Sequence, residues 1–202
     1  TGQLNIQLFT SDNELTTSTE FELNVIGVND TPVITEIDAQ VIDEDEVLIH
    51  EIIASDEEGD QLSYSASSDG NSQLSFSDNL LTVIPDENYN GNIEITIFVN
   101  DGQSTASEEF TLSVLSVNDS PDISVIDDVY MEEDGIASFR VIATDIDGDD
   151  LTYFAQAENI LFTPNGNQIA VQPDQNLNGI ILVEAFAFDG IDSSSTTFNL
   201  VI

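Results

Sequence analysis

Gly91-Asn92-Ile93-Glu94-Ile95-Thr96-Ile97-Phe98-Val99-Asn100-Asp101-Gly102 is the stretch on which the fold turns. Ile93, Ile95, Ile97 and Val99 fall on every second residue, with mostly polar residues between them. A period of two puts the apolar set on one face of a β-strand. A few residues on, Phe110, Leu112 and Val114 alternate in the same way. The segment therefore reads as two strands that each lay one face on a core. Nowhere does the chain carry a sustained stripe at helical spacing.

Self-similarity extends this reading along the chain. Gly2 to Val28 matches Gly91 to Val117 without a gap at a shift of 89 residues: Leu8-Phe9 falls on Ile97-Phe98, Asp12 on Asp101, Glu20-Phe21 on Glu109-Phe110 and Leu23 on Leu112. The segment returns a third time at a shift of 88, with Asn178-Gly179 on Asn90-Gly91, Phe186 on Phe98, Asp189-Gly190 on Asp101-Gly102 and Phe198 on Phe110. Ahead of each full copy stands Asn29-Asp30-Thr31-Pro32 or Asn118-Asp119-Ser120-Pro121. The expected organisation is residues 1–28 as the last two strands of a preceding repeat, 29–117 as a full repeat and 118–202 as another. Short apolar runs at 47–53, 80–84, 136–142 and 168–171 are parted by turn residues, and Asn165-Gly166 between Phe162 and Ile169 gives a hairpin signal. About seven short strands in ~90 residues predict an all-β chain of tandem antiparallel β-sandwiches.

Composition narrows the function. Forty Asp and Glu face one Lys or Arg, Arg140, for a net charge of −39 over 202 residues. Binding nucleic acid through its phosphates needs a basic stripe, which is missing, and an anionic membrane surface would repel such a chain. The absence of Cys excludes disulfides and thiolate chemistry. No apolar run is long enough to insert in a membrane. With 40% hydrophobic residues the chain can still build a core. The charge balance suits a cation-binding protein, a salty environment, or both.

Four acidic groups recur at turn positions. Asn29-Asp30 returns as Asn118-Asp119, and Asp43-Glu44-Asp45 as Glu132-Glu133-Asp134. Asp56-Glu57-Glu58-Gly59-Asp60 returns as Asp145-Ile146-Asp147-Gly148-Asp149, and Asp101 as Asp189, with Asp12 in the N-terminal fragment. Alternating oxygens on a glycine-containing turn are what a hard cation such as Ca2+ requires, because it takes six to eight oxygen ligands from a backbone that curls around it. Without an ion the grouping is costly: two carboxylates ~4 Å apart repel by about 4 kcal/mol at an effective dielectric of ~20.

Three of these stretches carry a family likeness. Ala143-Thr144-Asp145-Ile146-Asp147-Gly148-Asp149-Asp150-Leu151-Thr152-Tyr153 resembles the cadherin DxD segment, Val117-Asn118-Asp119-Ser120-Pro121 the cadherin linker, and Phe98-Val99-Asn100-Asp101-Gly102 the late A-x-D-x-G. Glu44 and Glu133 stand where cadherins carry an early Glu. The chain is thus similar to the bacterial cadherin-like tandem repeat of large surface or secreted adhesins. The resemblance implies cadherin/immunoglobulin-like sandwiches and calcium between consecutive domains. One ligand set would be Glu44, Asn118, Asp119, Asp145, Asp147 and Asp189, with Asp45 and Asp149 nearby. A second, weaker set would be Asn29, Asp30, Asp56, Glu58 and Asp101, with Asp60 beside it. Gly27 and Ser116 depart from the first Asp of the linker motif, and Glu58 from the second Asp of DxD.

The functional expectation is a calcium-rigidified segment of an extracellular adhesin or stalk, in contact with neighbouring repeats and with a homophilic, cell-surface or polysaccharide partner. Modules of this kind bind calcium at ~10⁻⁴–10⁻³ M, concentrations met outside cells. Two alternatives are a filament subunit assembled by strand addition and a calcium-dependent polysaccharide-binding module. Catalysis is not expected: His50 aligns with Phe139 and so stands outside the repeated chemistry, and repeats without long insertions leave little room for a cleft. Arg140 is expected to pair locally with carboxylates, and Tyr64 and Tyr153 to serve the core.

Overall fold

The structure, a computed structural model, describes residues 2–202; Thr1, the first residue of the expected 1–28 fragment, lies outside them. The described residues form strands and no helix, so none is long and apolar enough to cross a membrane. The chain divides into two compact units, Thr1–Leu115 and Ser116–Ile202.

The first unit opens with a hairpin of β1 (Gly2–Ser11) and β2 (Thr16–Val25), which among the described residues pair only with each other. The rest is a sandwich. One sheet runs β4 (Gln40–Asp43), β11 (Thr105–Leu115), β10 (Gly91–Asn100), β7 (Ser63–Ser68), with β4 parallel to β11 and the other neighbours antiparallel. The opposite sheet runs β5 (Leu48–Glu51), β9 (Leu80–Pro85), β8 (Ser72–Ser77), and the short strands β3 (Val33–Ile34) and β6 (Ala54–Ser55) form a separate antiparallel pair. The strands form where the sequence alternates. Ile93, Ile95, Ile97 and Val99 of β10 point inward with Phe110, Leu112 and Val114 of β11, and meet Ile52 and Leu81 and Val83 of β9. Each such side chain contributes roughly 1.5–3 kcal/mol relative to leaving it in water. Tyr64 is partly buried against this core, and His50 packs near Phe110, with ring centroids 6.2 Å apart.

The second unit repeats the plan. One sheet runs β13 (Val129–Tyr130), β20 (Ser193–Val201), β19 (Ile180–Phe188), β16 (Thr152–Gln156), again with a parallel first pair. The other runs β14 (Ala137–Arg140), β18 (Gln168–Pro173), β17 (Ile160–Asn165), beside the pair β12 (Asp122–Ile123) and β15 (Ala143–Thr144). Its core trades side-chain volumes. Val183, Ala185 and Ala187 replace Ile95, Ile97 and Val99, while Phe139 replaces His50 and packs edge-on to Phe198 at 4.7 Å. Tyr153 is partly buried here, as Tyr64 is in the first unit.

Two local expectations need adjusting. Asn165 is the last paired residue of β17, opposite Gln168, so the two-residue loop is Gly166-Asn167, one place beyond the expected Asn165-Gly166. Gly166 has φ +57°, the first-position sign of a type II′ turn, which follows the right-handed twist of the strands. Arg140 Nε donates to the amide oxygen of Asn167 at 3.2 Å, where a carboxylate partner was expected. The pairing of β14 with β18 decides this, since Arg140 lies opposite Gln168 at the mouth of that loop.

Candidate metal centres

In the second unit three loops converge because the strands that carry them are neighbours. β16 pairs with β19 from Thr152↔Phe188, which sets the turn 145–149 beside the loop 189–192. β12 pairs with β15 through Asp122↔Thr144, bringing Asn118-Asp119 alongside. The turn is wound on Asp145, whose Oδ1 accepts from the backbone N–H of Asp147 at 3.0 Å and of Asp149 at 3.3 Å. Gly148 supplies the φ of +81° that lets the chain curl back. One carboxylate oxygen from each of Asp145, Asp147 and Asp149 lies within 4.8 Å of the other two. Asp145 Oδ2 is buried and accepts no hydrogen bond.

The linker is tied into the same group. Asp119 N–H donates to Asp147 Oδ2 at 2.8 Å, and Asn118 Nδ2 donates to Asp189 Oδ2 at 3.1 Å and Asp192 Oδ2 at 3.3 Å. Lost hydration pushes the Asp149 carboxyl above the usual carboxylate range, and the charges of Asp145, Asp147, Asp189 and Asp150 add to it. For Asp189 lost hydration acts in the same direction but is outweighed by the N–H groups of Ile191 and Asp192 and by Asn118, so its carboxyl is held below that range.

The first unit builds the homologous group with fewer charges. Asp56 Oδ1 accepts from Asp60 N–H at 3.1 Å, and Asp56 Oδ2, like that of Asp145, is buried without a partner. Glu58 Oε2 accepts from Asp30 N–H at 3.2 Å, and Asn29 Nδ2 donates to Asp101 Oδ2 at 2.9 Å and Ser104 Oγ at 3.0 Å. The side-chain oxygen of Asn29 is already taken by Gln103 Nε2 at 2.7 Å. Asp101 is 8% exposed. The backbone N–H of Ser104, then Asn29 and Gln103, hold its carboxyl below the usual range against the lost hydration.

Part of the acidic repetition has a structural cause. Asp101 Oδ1 caps the N–H groups of Gln103 and Ser104, Asp189 Oδ1 those of Ile191 and Asp192, and Asp12 Oδ1 those of Glu14 and Leu15. The same Asx turn closes the β1–β2, β10–β11 and β19–β20 hairpins, so this aspartate would recur for the turn alone. Asp45 likewise receives the N–H of Asn88 at 3.0 Å, as Asp134 receives that of Asn176 at 2.9 Å. Glu44 is buried, and its N–H bonds Leu115 O at 2.8 Å. Because β4 runs parallel to β11, Glu44 and Asp45 lie at the end of the first unit away from Asp56 and Asp101. The structure thus gathers Asn118, Asp119, Asp145, Asp147, Asp149 and Asp189 at one end of the second unit, and Asn29, Asp30, Asp56, Glu58, Asp60 and Asp101 at one end of the first.

Asp192 and Ser104 escaped the sequence reading. They are homologous across the repeats, and the signal for them was their place three residues after each turn-capping aspartate. The donor set is oxygen throughout, with buried Oδ2 atoms that the backbone leaves without a hydrogen bond. That chemistry fits a hard divalent cation and offers nothing to a soft one.

The sequence profile described as a bacterial Ig domain matches residues 29–113 and again 118–200. Among solved structures, the chain is similar to human protocadherin-24 EC1-2, at 16% identity and a TM-score of 0.51, over 81% of this chain and 93% of that one. It also aligns with the titin domains I67–I69, at 11% identity and a TM-score of 0.43, over 98% of this chain and 74% of that one. An endo-fucoidan hydrolase of glycoside hydrolase family 107 aligns at 17% identity and a TM-score of 0.39. That alignment covers 99% of this chain and 34% of the hydrolase, so the chain spans about a third of its length. No curated protein matches the sequence. The protocadherin likeness, at 16% identity, is one of fold.

Proposed function

The chain belongs to the bacterial Ig domain family, in two tandem copies, and from that premise we propose that it is a calcium-stiffened segment of an extracellular adhesin or stalk. Domains of this family usually occur in surface or secreted proteins. The observation that carries the calcium reading is the buried, unpartnered Oδ2 of Asp145, matched by that of Asp56 at the homologous place. A buried carboxylate oxygen with no donor is costly, and a bound cation removes the cost. In the second repeat Asp145, Asp147 and Asp149 would hold the ion, with Asn118, Asp119 and Asp189 around it. The first repeat would hold calcium less firmly, because Asn29 is engaged by Gln103 and a serine stands where the second repeat has Asp192. An ion there neutralises the turn and fixes the linker residues to the repeat they lead into. An array of such repeats is then stiff in calcium and slack without it.

The test is calcium titration of the chain and of Asp145→Ala/Asp147→Ala. At calcium ten times its dissociation constant, mass action adds about 1.4 kcal/mol, or roughly 6–11 °C in Tm for a domain of this size. The expected results are that rise, slower amide exchange over residues 116–121, and the loss of both in the double variant. A chain whose Tm and linker exchange ignore calcium would mean that the turns are solvated surface.

A further inference from the structure

The β1–β2 hairpin has one ordinary face and one that has no partner. Leu4, Ile6 and Leu8 lie on the same side as Phe21, Leu23 and Val25, through the pairs Leu4↔Leu23 and Ile6↔Phe21. Leu4 and Leu8 are each 55% exposed, and no charged residue stands on that side. Among the described residues, no strand pairs with either outer edge of the hairpin.

The chain itself shows what such a hairpin needs. At a shift of 89 the register is that of β10–β11, where Ile93↔Leu112 and Ile95↔Phe110 take the same places and are buried. There the first strand has an antiparallel neighbour, β7, and the second a parallel neighbour, β4. The apolar side is closed by β9 and the residues packed around it. An occupant must meet three demands together: a strand on each edge and an apolar sheet over the face. A second copy of the hairpin meets only the last. Two strands ~5 Å apart and ~33 Å long offer roughly 300 Å² of face, well short of the ~800 Å² per partner of a stable interface. Two chains of charge −39 also repel.

We infer that this face is the docking surface for the remaining strands of a further bacterial Ig repeat, supplied by the polypeptide segment N-terminal to Thr1. The hairpin is then the final pair of strands of a third sandwich. Its unpaired edges lie where that segment adds its counterparts of β7 and β4, and Leu8 fills the position of the fully buried Ile97.

The experiment uses strands whose sequence is known. Residues 29–90 are placed directly before Gly2 of the full chain, so that Asn90 runs into Gly2 as it runs into Gly91. Hydrogen exchange is read over β1 and β2 in the fused and unfused chains, with light scattering on both. The expected result is rapid exchange in a monomeric unfused chain and protection in the fused chain matching that of β10 and β11. Leu8→Asp in the fused chain should abolish the new protection and leave β10 and β11 unchanged. Exchange over β1 and β2 as fast in the fused chain as in the unfused one would overturn the inference. An unfused dimer that protects the hairpin and is broken by Leu8→Asp would overturn it in favour of a second copy. Protection in an unfused monomer would show that the hairpin needs no partner.

Discussion

The two oxygens of one carboxylate do different work in these loops. Asp145 Oδ1 winds the turn by accepting two backbone N–H groups, while its Oδ2 is left buried without a donor. The sequence shows that Asp145 recurs as Asp56; it cannot show which oxygen is spent on the backbone, because that depends on how the turn closes. The pH dependence follows from the same division. Asp101 and Asp189 have lowered values when folded, so their stabilisation is complete above the ordinary carboxylate value of about 4 and is lost as pH falls through the folded one. Asp149 is raised, so the folded chain binds its proton more tightly than the unfolded chain does. Its contribution therefore turns unfavourable as pH rises from about 4 through the raised value. Asp149→Asn should accordingly raise Tm at neutral pH in chelator. In calcium it should lower Tm and weaken binding by about tenfold, since the charge count of the ligands sets affinity. Calorimetry under the two conditions checks the reversal, and the same sign in both would remove Asp149 from the site.

At the scale of the element, a period-two pattern is read the same way whether or not a partner covers it. Ile97 in β10 and Leu8 in β1 are homologous and equally apolar, yet the first is fully buried and the second 55% exposed. Ile97→Ala should cost about 2–5 kcal/mol, the range for deleting a buried aliphatic side chain. Leu8→Ala should fall within about 0.5 kcal/mol, as surface substitutions do. Urea denaturation of both variants measures the contrast, and a comparable loss from each would mean that the hairpin face is covered in the chain as it stands. The strands themselves were legible in the alternation, and the Gly166-Asn167 turn missed by one place because pairing with β18, not the dipeptide, sets where β17 stops. Phe154 stacked on Phe186 at 4.6 Å was not foreseen, since cross-strand neighbours are decided by register.

For the whole molecule the governing quantity is a charge of −39 with a single cationic side chain to offset it. Self-repulsion on this scale weakens the compact state and is screened by salt. Raising NaCl from ~0.1 M to ~1 M shortens the screening length from about 10 Å to about 3 Å. The Tm of the calcium-free chain should climb over that range, and the climb should shrink once calcium is bound; an equal response in both states would detach the acidity from ion binding. The sequence by itself determined the strands, the repeat and the residue types at the acidic turns, because alternation, chain reversal and charge are local properties of order along the chain. Only the tertiary structure decided that Asp192 joins Asn118 and Asp189, that Asp45 and Asp134 cap the loops of Asn88 and Asn176, and that the Oδ2 atoms of Asp56 and Asp145 are the buried oxygens left over. The first two outcomes hang on contacts between residues 42 to 74 positions apart, and the third on how each turn closes; the register of neighbouring strands, which sets the long-range contacts, is not written in any one strand.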